Sequence, residues 1–375
     1  MIAETNFKPG LEGVVAAETR LSSVDGEAGE LIIAGFPLEE LAPNAAFEEM
    51  VYLLWHDRLP DAAELAVFRD RLAAARGLPP AAFDLLRAAA RDAAPAMDAL
   101  RMAAGALTGG DDHEADAVRL VACFPTIVAA YRRLLNGQMP LEPRPDLGHA
   151  ANYLYMLAGE MPDPTRTRAL ETYLNTVVDH GLNASTFAAR VIISTGSDMV
   201  SALVGALGAL KGPLHGGAPG PALNLVFEIG EAANAEMVLR RRLEAGERLM
   251  GFGHRVYKVR DPRAEVLAAA AEKLFQAGGD RALYELARAV ENTALRLLEE
   301  YKPGRRLQTN VEFYTALVLH GLGLPAELFT PTFAISRAAG WTAHAFEQIA
   351  ARRIIRPQSA YTGPKTRRWT PLAAR

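Results

Sequence analysis

Apolar residues recur at every third or fourth position along most of this chain, and they hardly ever alternate one by one. Such spacing lines up one face of a helix, whereas a half-buried strand needs a period of two. It predicts helices over 47–55, 65–75, 117–135, 149–157 and 167–178. The breakers Pro60, Pro79, Pro80, Pro140 to Pro145 and Pro162 to Pro164 separate them. Only Leu31-Ile32-Ile33, between Asp25-Gly26 and Gly35, reads as strand, and it predicts a small N-terminal hairpin. No internal repeat is visible. Nothing alternates strand with helix, no GxGxxG follows a strand, and no phosphate-binding loop is present, which argues against a nucleotide-binding α/β domain. The expected fold class is all-α, with many helices packed in layers. At 375 residues, half of them hydrophobic, the chain can bury a sizeable core in one large domain or two smaller ones.

Two loops break the helical pattern in a way that suggests chemistry. One is KGPLHGGA, from Lys211 to Ala218, with His215 among glycines. The other is GFGHRVYKVRDPR, from Gly251 to Arg263, with His254 between Gly253 and a basic run. Glycine allows unusual backbone angles and the close approach of another molecule. A histidine displayed there can hold and protonate an anionic substrate. Incidental histidines in connecting turns are the plainer reading, but two such loops in a chain with 8 histidines weigh against it. The run Met199 to Leu210, rich in Ala, Gly, Val and Leu, reads as a buried helix or a subunit interface. It leads into the His215 loop, as a rigid support would.

Other residues carry two readings each. His180, in DHGLNAST, sits between two expected helices, with Asn183 or Ser185 as the next cap. It either satisfies the end of one helix or joins the other histidines. Arg263, Arg337 and Arg356 are surface residues or carboxylate clamps. Arg337 is the most unusual, since apolar neighbours surround it on a helix and a charge there needs a partner. Glu312, in NVEFYTA, either complements a helix dipole or serves as a base at the edge of a cleft. His113, beside Asp111 and Asp112, reads as an exposed helix start rather than a metal site. His56, His149, His320 and His344 are expected to be structural or surface residues.

Composition excludes several classes. A net charge of −4 without long charged blocks argues against nucleic acid as the main partner. One cysteine, Cys123, permits neither an internal disulfide nor a Cys-based zinc site. It lies in an apolar run and reads as a small core residue. There is no HExxH, so no metal is expected. No run of about 18 apolar residues suggests a membrane span. The first residues lack a basic and apolar leader, so the expected location is cytoplasmic.

These segments together resemble the citrate synthase family over nearly the whole chain. The resemblance is carried by GLEGVVAAET at 10–19, DHGLNASTFAAR at 179–190, GALKGPLHGGA at 208–218, the GFGHRVYKVRDPR loop, NVEFYTALVLHGLG at 310–323, and SRAAGW and RPQSAYTGP near the end. It implies an all-helical homodimer of the short bacterial type, condensing acetyl-CoA with oxaloacetate and hydrolysing citryl-CoA. It implies a large domain of residues 1–215 plus 326–375, and a small CoA-binding domain of residues 216–325 that closes over the cleft. No metal or resident cofactor is implied. By the same resemblance His215 stabilises the enol of acetyl-CoA, and His254 polarises the oxaloacetate keto group. His180, Arg263 and Arg337 hold the oxaloacetate carboxylates, and Arg356 reaches them from the partner subunit. Asn183 lies near the substrate and Ser185 supports His215. Lys258, with Arg255 and Arg260, faces CoA phosphates.

One position departs from the family pattern. The family base is an aspartate, in the form NVD, and this chain has Glu312. The two acids have similar intrinsic strength, so the difference is geometric. Three expectations follow. Glu312 is the working base of a citrate synthase. Alternatively the acyl donor is propionyl-CoA and the product 2-methylcitrate, or the chain is a weakly active or inactive paralogue that only binds the ligands.

Overall fold

The computed structural model describes residues 7–216, 219–254, 256–278 and 280–375. The expected all-helical architecture is found. Each predicted helix forms, as Phe47–His56, Ala62–Ala74, His113–Leu135, His149–Ala158 and Pro164–Val177. The starts shift upstream where a polar cap precedes the apolar run. Asp61, Asp112 and Asp163 each accept a backbone N–H from the first turn and so begin the helix early.

Two helices of 23 residues, His113–Leu135 and Phe329–Ala351, form the centre. Both are buried nearly all round, as a helix enclosed by other helices must be. Met199–Leu210 is also a buried helix. It lies so close to the helix Ala184–Ile193 that a Cβ on Gly205 would sit 2.1 Å from Ile192 Cδ1. Gly205 therefore serves packing within the chain. Cys123 is buried, as expected.

The hairpin forms and gains a third short strand. Strand β1 is Ser22–Asp25, β2 is Glu30–Ile33 and β3 is Phe36–Pro37, all antiparallel in the order β1-β2-β3. Ser22 pairs with Ile33, and Ile33 with Phe36. Asp25 accepts the N–H groups of Glu27 and Ala28 and closes the first turn. Leu31 and Ile33 point into the core. Among the described residues, no helix is long and apolar enough to cross a membrane.

Candidate active site

The chemistry gathers where helices begin. His180 lies between Pro164–Val177 and Ala184–Ile193, Arg263 opens Pro262–Gln276, and Glu312 opens Val311–Gly321. Asn183, Asp261 and Asn310 cap those three helices through their side chains. Capping fixes the chain on both sides of each junction, so functional side chains there stand on a rigid base.

His254 and Glu312 are held by one another's segments. Asn310 donates its backbone N–H to Gly251 O at 3.0 Å and its side-chain N–H to Gly253 O at 2.8 Å. Gly253 donates to Gln308 O at 2.7 Å. Gly251 and Gly253 have φ of +90° and +83°, a region that favours glycine, and a Cβ on Gly251 would meet Phe313 at 3.0 Å. Asp261, buried, is the knot. Its carboxylate accepts from Arg263 Nε at 3.0 Å, from an Arg263 terminal nitrogen at 2.8 Å, and from the N–H of Val311 at 3.2 Å.

Hydrogen bonding sets the tautomer of His254. His254 Nδ1 accepts the N–H groups of Val256 at 3.0 Å and Tyr257 at 3.1 Å. A neutral ring therefore carries its proton on Nε2, which lies 3.3 Å from the Arg263 guanidinium. Two donors that close cannot bond each other, but both can point at one oxygen of a bound molecule. His215 is held by Ser185. Its Nε2 lies 2.8 Å from Ser185 Oγ and 3.3 Å from the Ser185 backbone nitrogen. Ser185 Oγ is itself fixed by Trp341 Nε1, which donates at 3.1 Å, and by Asn183 Oδ1, which accepts at 2.8 Å.

Electrostatics ties the set together. The His180 and His254 rings meet edge to face, centroids 5.9 Å apart, and His180 Nε2 lies 3.1 Å from the Tyr257 hydroxyl. Burial, then Arg263, Arg337 and His254, hold His180 well below the ordinary imidazole range. Burial and Arg263 bring His254 down to about 4. Burial and Arg337 lower His215. All three rings are thus neutral at pH 7. Burial pushes Glu312 up to about 7, against the pull of Arg263. Arg337 is 2% exposed, donates to Val177 O at 2.8 Å, and has no carboxylate within ion-pair distance among the described residues. Burial lowers it to about 10, although the Asp179 charge opposes the shift. Neutral imidazoles, two buried guanidiniums and a carboxyl poised near neutrality can bind a small dianion and move a proton beside it. Two cavities of about 880 and 620 Å³ lie elsewhere, and none of these residues lines them. Chemistry, not size, marks this site.

A family model described as "Citrate synthase, C-terminal domain" matches residues 10–358. This chain belongs to the citrate synthase family. The citrate synthase of Haloferax volcanii is 42% identical, over 98% of this chain and 99% of its own length. The crystal structure of citrate synthase from Pyrobaculum aerophilum superposes with a TM-score of 0.89 at 39% identity, covering 97% of this chain and 94% of that one. A ternary complex of the Thermoplasma acidophilum citrate synthase with carboxymethyl coenzyme A and oxaloacetate superposes with a TM-score of 0.88 at 32% identity, covering 97% and 98%. The curated relatives also include 2-methylcitrate synthases, two of them at 38% and 40% identity over 98% and 96% of this chain.

Within this citrate synthase fold the remaining candidates fall in different places. Arg356 is exposed and follows the last long helix. Its neighbour Ile355 is tied to Ser194 at the far end of Ala184–Ile193, about 15 Å from the His180 junction. Lys258 is exposed and its N–H donates to Gly26 O. Arg260 pairs with Glu265 at 3.3 Å and with buried Glu291 at 3.5 Å. Arg255 lies outside the described residues. His113 begins a helix, half-buried, and among the described residues no group of three His, Cys, Asp or Glu side chains is arranged to hold a metal ion.

Sequence reasoning passed over Asp179, Tyr257 and Trp341, and left His344 as a structural or surface residue. Asp179 accepts from Ser22 Oγ at 2.5 Å and lies 3.1 Å from His344 Nε2, while His344 Nδ1 lies 3.0 Å from an Arg190 terminal nitrogen. Asp179, His344 and Arg190 are buried, and Ser22 is half-buried. His344 is structural, as expected, but it braces the residue next to His180. Only the burial of a charged residue within an apolar run could have signalled it.

Proposed function

We propose that this chain condenses acetyl-CoA with oxaloacetate and hydrolyses the resulting citryl-CoA to citrate and CoA. The observation that carries this reading is the convergence of the His254 Nε2–H with Arg263 beside Glu312, whose carboxyl is raised to about 7. In this reading Arg263, Arg337 and His180 grip the oxaloacetate carboxylates, and the His254 Nε2–H points at the keto oxygen. The Glu312 carboxylate takes a proton from the acetyl-CoA methyl group. A thioester α-proton is a weak acid, so a ring N–H of His215 shares the work by donating to the oxygen that becomes the enolate. The enol carbon attacks the keto carbon, and the new alkoxide takes the His254 proton. Water then cleaves the thioester, which releases the CoA thiol and makes the sum favourable. Holding both molecules converts a two-body encounter into a local step. The reaction so described uses no metal or resident cofactor.

The same reading makes the protein a homodimer in which Arg356 completes the partner's site. Residues 216–325 form a small domain that closes on residues 1–215 plus 326–375 and excludes water. In this reading Lys258, Arg255 and Arg260 are the residues assigned to the CoA phosphates. Closure of that kind is supported by the Glu312 and His254 segments, which carry the acid–base groups and lie wholly within 216–325.

The test is thiol release by the purified protein with oxaloacetate, comparing acetyl-CoA with propionyl-CoA. Faster release with acetyl-CoA is expected. A preference for propionyl-CoA moves the assignment to 2-methylcitrate synthesis, the activity named for some of the relatives. Oxaloacetate binding without thiol release from either substrate sinks the synthase reading and leaves a binding protein.

A further inference from the structure

The N-terminal hairpin touches both oxaloacetate histidines' supports, one on each end. At the start of β1, Ser22 Oγ donates to Asp179 Oδ2 at 2.5 Å and accepts the Gly181 N–H at 2.7 Å. It thereby holds the residues on both sides of His180. At the far end of β1 the turn meets the His254 loop. Gly26 O accepts the Lys258 N–H at 2.8 Å. A Cβ on Gly26 would lie 2.3 Å from Val256 O and 2.8 Å from Val256 C, and one on Gly29 would lie 2.6 Å from Val259 Cγ2. Val256 is the residue whose N–H donates to His254 Nδ1 and fixes its tautomer. The register of β1 with β2 makes the two ends one unit, because Ser22 pairs with Ile33 and Asp25 with Glu30. Leu31 and Ile33 anchor that unit in the core.

We infer that the β1–β2 hairpin is a positioning clamp that sets the distance between His180 and His254, with Ser22 and Gly26 as its two contact points. This rests on the proposed reading of both histidines as oxaloacetate ligands. Neither Ser22 nor Gly26 touches the substrate in this scheme. They act through Gly181, Asp179 and Val256. Gly26 needs no left-handed backbone of its own, since its φ is not positive, so an added methyl group there strains only the packing against the His254 loop. That contact is with backbone atoms and can be relieved only by moving the loop.

The test is calorimetric titration of oxaloacetate into the full chain, with thermal melting and the KM for acetyl-CoA alongside. Gly26→Ala and Ser22→Ala should each weaken oxaloacetate binding tenfold or more, with the acetyl-CoA KM within about twofold of the parent. Ser22→Thr keeps the hydroxyl and should restore most of the affinity. A hairpin that serves packing alone gives the opposite pattern: lower melting temperatures with oxaloacetate affinity unchanged in the folded fraction, which overturns the clamp. Should Gly26→Ala fail to fold, the Ser22 pair decides on the same readout. A parent protein that neither binds oxaloacetate nor releases thiol sinks the functional reading itself, whereas a binding parent with unaffected variants sinks only the clamp.

Discussion

Glu312→Gln lowers turnover by about 10³-fold, within the range expected when a positioned base is lost, and leaves oxaloacetate binding nearly intact. Glutamine keeps the size and the helix start, where Asn310 accepts the backbone N–H at 3.0 Å, but cannot take a proton. Thiol release measures the first effect and calorimetry the second. Equal turnover in parent and variant would remove Glu312 from the reaction. The shorter Glu312→Asp variant withdraws the carboxylate by about 1 Å, and a displacement of that size costs on the order of 10²-fold. The outcome to watch is a gain instead of a loss, which would mean that the glutamate detunes the site.

The same residue links activity to pH and to stability. In the free protein the Glu312 carboxyl titrates near 7, against 4.5 for an ordinary glutamate. Below 7 the base is mostly protonated, so kcat/KM should rise about tenfold per pH unit and level off above 7. The folded state holds the proton more tightly than the unfolded state. This group therefore favours folding most below pH 4.5, and that contribution is lost as pH rises through 7. Glutamine has no such penalty. The Glu312→Gln protein should melt higher than the parent at pH 8, with the gap shrinking at pH 4. A functional group that weakens its own fold is a common cost of a buried acid. The histidines act in the opposite direction over nearly the same pH range. With folded pKa values below the ordinary 6.5, they withdraw stability as pH falls from 6.5 toward about 4.

Much of this arrangement was legible in the chain. The helical period named the elements, because burial on one face is what that period encodes. The loops around His215 and His254 announced themselves through glycines. A positive φ, as at Gly251 and Gly253, leaves a mark in sequence that ordinary contacts do not. What could not be read was the tautomer of His254, since it depends on which N–H groups face the ring after folding. The brace behind His180 was hidden for another reason. Asp179, Ser22 and His344 are 157 and 165 residues apart along the chain, and no local pattern joins them. Arg260 was hidden in the same way: its pairing with buried Glu291 joins residues 31 apart, and no local pattern announces it.

Arg337→Met should weaken oxaloacetate binding by roughly 30-fold to several thousand-fold, the range for removing one partner of a desolvated, hydrogen-bonded charge pair at about 2–5 kcal/mol. The physical case is that this guanidinium has no carboxylate partner among the described residues. It is buried, packed 4.6 Å over the Phe333 ring, bonded to one backbone carbonyl, and lowered to about 10 by burial. A buried charge without a paired carboxylate is costly, and nothing in packing requires it. A bound carboxylate relieves that cost, so the penalty in the free protein becomes affinity in the complex. Methionine preserves the long stem and its contact with Phe333 while removing the charge. Asp179 stays satisfied in the variant, because Ser22 Oγ, the Gly181 N–H and His344 still face it. The melting temperature should thus stay within a few degrees of the parent or rise. Arg337→Lys keeps a positive charge but loses the planar fork, and should recover only part of the affinity. Titration of oxaloacetate beside a keto acid with a single carboxylate completes the test. If Arg337 grips one of two carboxylates, the parent prefers the diacid strongly and Arg337→Met loses most of that preference. An unchanged preference, with the melting temperature lowered, would make Arg337 a structural residue and assign the second carboxylate to another group.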